Sequence, residues 1–200
     1  MKRSRLLLAL GAWFAVALIL TLVAPPPAVS SPVRFAIILG PVVALSALYL
    51  GTRSLREALA AVPLRALVAA HLVRALVGMG FLVLGQRGEL PVEFATPAGY
   101  GDLAAGLGAL ALLVVPNWQG RAFSLALGAW CLFGIADFVN VQRVVMALQA
   151  QGRQAEFAVM NGPPLALVPY FGVPFLWFTH IVVLARGARE LGPAPHTRTA

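Results

Sequence analysis

The chain has 200 residues, of which 60% are hydrophobic and 11% charged, with a mean hydropathy of +0.86. An ordinary soluble domain carries about 25% charged residues, so this chain cannot cover a globule with polar surface, which excludes a water-soluble monomer. Its net charge of +8 would suggest nucleic acid in a soluble protein; in an apolar chain the charge must first be located along the sequence.

A bilayer-spanning helix needs about 20 mostly apolar residues. Six stretches qualify: 6–24, 35–50, 64–84, 97–115, 122–148 and 164–185. They predict an all-α integral membrane bundle of six transmembrane helices, one domain over 1–188 with a flexible tail at 189–200. The first span follows Lys2, Arg3 and Arg5 and precedes Ala28-Val29-Ser30, the outline of a signal peptide. Its 19-residue core exceeds the ~7–15 residues of cleaved signals, so it reads as a retained helix.

After the short second span, Ser54-Leu55-Arg56-Glu57 has capping-box spacing. Leu55, Leu59 and Val62 then share a face before Pro63, which predicts an interfacial helix over 55–62. The third span carries His71 and Arg74. The following outer link places Glu89 and Glu93 at an outer mouth. Thr96-Pro97 reads as an N-cap followed by proline at the first helical position. The fourth span holds Asp102 and glycines 99, 101, 106 and 108, which allow close helix approach. The fifth holds Asp137, Asn140 and Arg143, the last placed to reach the interface. In the sixth, Pro169 and Pro174 break or kink the helix and free carbonyls, ahead of His180. The hexapeptide LALGAW occurs at both 8–13 and 125–130, a possible parallel repeat.

With the N-terminus inside, six crossings leave ten basic residues in inner segments and three in outer ones. The positive-inside rule therefore places both termini in the cytoplasm. The charge is an orientation signal for an inner membrane, and nucleic acid is not an expected partner. The expected partners are the lipid bilayer and a second copy or a membrane-complex subunit.

Charges inside spans are costly and mark function or paired structure. At 1.5 Å per residue, Arg74 lies roughly 15 Å from the inner boundary, and Asp102 and Asp137 roughly 22 and 24 Å from it. An outward-reaching arginine meets both carboxylates at that depth, and Asn140 lies one turn from Asp137. Such a cluster of formal charge −1 accommodates a proton or a cation; the other reading is a salt bridge that fixes packing.

His71 and His180 lie at about the same inner depth, roughly 10 and 9 Å. Two histidines on separate helices suit a bis-histidine haem b, a proton relay, or simple interhelical hydrogen bonds. No cofactor is required by any motif. The single cysteine, Cys131, excludes intrachain disulfides and cysteine-rich metal sites. The single lysine, Lys2, excludes a buried catalytic lysine. No GxxxxGK[ST], GxGxxG or HExxH pattern occurs, and no hydroxyl has a base-and-orienter pattern, which argues against an enzyme.

The segment LPVEFATPAGYGD, Leu90 to Asp102, resembles the LPxxFAxPAGxGD motif of a family of small bacterial multi-pass membrane proteins of uncharacterised activity. Gly134 to Asp137 fits that family's GxxD, and VPYFGVP at 168–174 with His180 fits its VPxFxVPxxxxxH tail. The resemblance spans roughly Arg74 to Arg186. It implies a membrane fold and draws attention to Arg74, Asp102, Asp137 and His180; it does not extend to His71. Three functions stay open: solute, cation or proton handling at the polar cluster, haem-based electron transfer through His71 and His180, and a non-catalytic subunit or assembly scaffold.

Overall fold

The computed structural model describes residues 3–23 and 31–190, which contain helices and no strand. The helices are α1 (Arg3–Val23), α2 (Ser31–Gly51), α3 (Arg53–Ala60), α4 (Leu64–Ala69), α5 (Val73–Gln86), α6 (Val92–Val114), α7 (Arg121–Ala150) and α8 (Val173–Glu190). Short 3-10 segments at Ala70–Leu72 and Gln154–Asn161 and a π turn at Val168–Gly172 join them. The Ala28-Val29-Ser30 site and tail residues 191–200 lie outside the described residues.

Among the described residues, four helical segments are long and apolar enough to cross a bilayer: Leu64–Gln86, Val92–Val114, Arg121–Ala150 and Val168–Gly187. Ala36–Gly51 qualifies only together with Arg53–Ala60, from which it is bent by 97°. In α1 the described apolar stretch is Leu8–Ile19. On length and apolarity the count is therefore four, or five with the bent pair, against the six read from the sequence.

A short helix does follow α2, at Arg53–Ala60 where the sequence predicted an interfacial helix over 55–62. Its start is not the capping box. Ser54 already lies inside the helix, and Glu57 pairs with Arg53 Nε at 2.7 Å, an i,i+4 bond that takes the carboxylate away from the helix start. A second correction concerns α6, which begins at Val92 with Pro91 as N-cap, so Thr96 does not cap it and Pro97 sits inside. Leu90, Phe94 and Ala95 are buried against Phe81, Leu148 and Phe157. Their burial outweighs the one ladder bond that Pro97 cannot donate.

The polarity is inverted relative to a soluble protein. Leu76, Val114, Leu125 and Leu132 are 60–75% exposed, whereas His71, Arg74 and His180 are at most 1% exposed. α5 and α6 pack closely through a seam of small residues. A Cβ on Gly78 would lie 2.5 Å from the Gly99 carbonyl oxygen, and one on Gly106 2.5 Å from the Ala75 nitrogen. Glycine is required at both positions because the backbones touch.

Three arginines that the sequence reading counted only as charges close the ends of helices. Arg56 Nη1 donates to the Tyr49 and Leu50 carbonyls at the end of α2. Arg65 Nη2 donates to Val115 and Pro116 just past α6, both at 3.0 Å. Arg186, buried on α8, donates to Leu59 and Val62 at 2.8 and 2.7 Å and so holds the end of α3. Terminal carbonyls have no partner within their own helix, and a cation there also meets the negative end of the helix dipole.

Candidate functional site: a buried arginine between two carboxylates and an imidazole

Four helices each contribute one group to a single buried constellation. Arg74 opens α5 directly after the 3-10 turn that carries His71; Asp102 comes from α6, Asp137 from α7 and His180 from α8. Arg74 Nε donates to Asp102 Oδ1 at 2.7 Å, Nη2 to Asp137 Oδ2 at 2.5 Å, and Nη1 to His180 Nε2 at 3.1 Å. All three guanidinium nitrogens are bonded, and the guanidinium carbon lies 4.1 Å from the centroid of the Phe138 ring. The sequence reading brought Arg74, Asp102 and Asp137 together and left the histidines as a second layer. The structure makes them one unit.

The histidine tautomers follow from the donors around them. Arginine can only donate, so His180 Nε2 is unprotonated and its proton is on Nδ1. The Thr179 hydroxyl gives its hydrogen to the Leu176 carbonyl at 2.8 Å. The 2.9 Å contact between His71 Nε2 and Thr179 Oγ1 therefore has His71 donating. His180 is therefore neutral, and the Nδ1 atoms of both imidazoles are buried without a hydrogen-bond partner.

This geometry corrects the haem reading. The His71 and His180 ring centroids are 4.0 Å apart, so the rings touch. A bis-histidine haem requires an iron and its porphyrin plane between the two rings, and the Nε2 atoms are already bonded to Thr179 and Arg74. Trp130 packs against both imidazoles, at 4.9 and 4.6 Å, and its Nε1 donates to the Ala105 carbonyl. Its counterpart in the repeated hexapeptide, Trp13, instead meets Phe171, so the two copies occupy unlike surroundings. Among the described residues no group of three histidine, cysteine or carboxylate side chains is arranged to hold a metal ion.

Glycines make the space for these side chains. A Cβ on Gly101 would lie 1.7 Å from Asp137 Oδ1, and one on Gly134 2.1 Å from His180 Nε2. Of the four α6 glycines, Gly99 and Gly106 serve the seam with α5, while Gly101 and Gly108 face α7 at Asp137 and Trp130. Sequence reasoning missed Thr179, Phe138, Trp130 and Gly134 as parts of the site. The available signal was spacing: Gly134, Asp137 and Phe138 are three and four apart, hence on one helix face.

Asn140 is not a partner of Arg74; it is half-buried and lines a surface hollow with Tyr100, Gly101 and Asp137. Arg143 is exposed, as expected of a group reaching outward. Glu89 is exposed. Glu93 is not an open mouth charge, because Arg153 Nη1 donates to it at 2.9 Å while Arg153 Nε donates to Glu156 at 2.8 Å. Hydrogen bonds from Arg153 hold the Glu156 carboxyl below the usual glutamate range.

A cavity of about 100 Å³ reaches Asp102 and Asp137 from the side of Gln149 and Asn161. Pro169 and Tyr170 of the π turn border it. The prolines of the last span thus produce a widened turn beside the carboxylates rather than a simple kink. A second hollow, about 260 Å³, reaches Arg74 and Asp102 between α5 and the π turn.

Fold and site together define an all-helical chain whose membrane-length apolar helices enclose an arginine, two carboxylates and an imidazole. The chain belongs to the family described as Domain of unknown function (DUF8737), whose profile matches residues 31–186 and so covers all four of those groups. No curated protein and no solved structure matches the chain.

Proposed function

We propose that this is a six-span bacterial inner-membrane protein, with both termini cytoplasmic, that takes up and releases one proton or one monovalent cation at the Arg74–Asp102–Asp137–His180 cluster. The observation that carries the reading is the charge of the fully buried constellation. One guanidinium faces two carboxylates while the imidazole is neutral. With both carboxyls ionised, the cluster holds one uncompensated negative charge, and burying such a charge is expensive. A proton on a carboxylate removes it, and so does a monovalent cation beside it.

The surroundings support exchange rather than mere packing. Both carboxylates line a cavity, so space for an exchanging ion lies beside them, which a closed structural salt bridge does not need. The six spans rest on the six apolar stretches of the sequence, the cytoplasmic termini on the ten-to-three distribution of basic residues, and the resemblance of residues 90–102 and 168–180 supports a bacterial membrane setting.

Proteoliposomes carrying an internal pH indicator test the reading. Asp102→Asn and Asp137→Asn abolish proton-coupled flux while the protein remains monodisperse and folded. Wild-type flux in both variants refutes it.

A further inference from the structure

The cavity beside the carboxylates has a largely aromatic lining: Phe81, Phe94, Phe138, Phe157 and Tyr170. Edge-to-face contacts at 5.3 and 5.1 Å fix Phe81, Phe94 and Phe157 as one aromatic wall. The lining also carries the amides of Gln142, Gln149 and Asn161 and two charged groups, Asp102 and Asp137. The neighbouring charged or titratable groups are Arg74 on α5 and neutral His180 on α8, and both are already bonded as described. Another lining ring, Phe138, already holds a cation on its face, the Arg74 guanidinium.

Aromatic rings with a nearby carboxylate recognise cations that carry their charge on a poorly hydrated, carbon-covered centre. The volume of about 100 Å³ sets the size, since one water needs about 10–15 Å³ on the same measure. That is room for a group of a few heavy atoms.

We propose that this cavity binds a small organic ammonium ion, methylated at nitrogen, and that each ion bound displaces one proton from the Asp102–Asp137 pair. The inference rests on the exchange reading above and names its substrate class. The balance is simple. With the site unliganded, one carboxyl keeps its O–H and the cluster is neutral. On binding, that proton leaves to water and the carboxylate it leaves behind pairs with the ammonium. The cluster is neutral again. Proton and ammonium exclude each other because there is one net negative charge to neutralise, which is the condition for obligatory exchange.

The test is a titration of the purified full chain with tetramethylammonium chloride in weak buffer, following heat and released protons together. Saturable binding with one proton released per site supports the inference. Phe157→Leu weakens that binding about 2- to 30-fold, the span of a cation–π contact, and Phe157→Tyr retains it. Tetrapropylammonium, too large for the cavity, does not bind. Absence of tetramethylammonium binding, binding without proton release, or equal binding of tetrapropylammonium overturns the proposal. If ammonium binding is absent while Asp102→Asn and Asp137→Asn still abolish proton flux, only the substrate assignment falls. If proton flux also ignores both aspartates, the exchange reading falls with it.

Discussion

Arg74 Nη1 and His180 Nε2 lie 3.1 Å apart across 106 residues of chain, and that bond decides where the imidazole carries its proton. Histidine-selective 15N NMR of the protein in nanodiscs should show His180 as the Nδ1–H tautomer and His71 as the Nε2–H tautomer, both neutral. A proton on His180 Nε2 would show that the bond does not form. Thr179→Val removes the group that orients His71 and should mix the His71 tautomers while leaving His180 unchanged.

Arg74→Leu leaves two carboxylates without a cation in a buried site. Breaking a buried pair in this way costs about 3–5 kcal/mol, so thermal unfolding in detergent should shift strongly downward. Adding Asp102→Asn and Asp137→Asn to Arg74→Leu should recover much of that loss, because no unpaired charge is left. A triple variant no more stable than Arg74→Leu would mean the penalty is lost packing rather than stranded charge.

Glycine-to-alanine changes within helices normally stabilise by about 0.5–1 kcal/mol. Gly80, whose added Cβ would meet nothing within 4 Å, should behave that way. Gly101→Ala and Gly134→Ala should have the opposite sign, since the new methyl would overlap Asp137 and His180. Both should lose proton-coupled flux. Thermal unfolding of the three variants side by side checks the ranking.

How far the site was legible follows from these residues. Arg74, Asp102 and Asp137 stand out because a charge within an apolar run is rare, and depth counted along each helix put the two carboxylates at similar height, within reach of a long arginine below them. Gly101 and Gly134 were visible only as small residues. Whether a glycine faces a neighbouring backbone, a carboxylate or open space depends on helix rotation, which the apolar pattern barely constrains when every face of a helix is apolar. Phe138 and Thr179 were hidden for the same reason.

Arg186 should behave as a structural residue despite its charge. Its guanidinium donates to the carbonyls that end α3, and hydrogen bonds to charged groups contribute about 1.5–3 kcal/mol. Arg186→Gln should loosen α3, seen as faster amide exchange across Arg53–Ala60, with little change at α6. Unchanged exchange in α3 would contradict the assigned contact.

Outside the spans, the pH dependence has a defined sign. Hydrogen bonds from Arg153 hold Glu156 below the ordinary glutamate value. Its folded pKa is therefore depressed relative to the unfolded chain. Its contribution is present above the ordinary value and is lost as pH falls through the lowered one. Glu156 is solvent-exposed and Arg153 partly so, so the effect is small and salt-screened. Acid titration of stability in the wild type and in Arg153→Gln should differ only in that acidic window, and less so in high salt.

The sequence by itself determined the all-helical class, the excess of apolar length over polar surface, and which few charges lie among apolar residues. Those are properties of composition and of spacing along one helix, and they need no partner. Among the described residues four helices, or five with the bent pair, meet membrane length on apolarity; the sequence misplaced the start of α6, because buried contacts around Leu90 and Phe94 outweighed a proline. Only the tertiary structure decided that His180 joins Arg74, that the two imidazole rings touch too closely for a haem, and that the arginines at 56, 65 and 186 bond helix ends. Each of these depends on how helices distant in sequence rotate and tilt against one another, and that is set by backbone contact through glycines and by hydrogen bonds between elements.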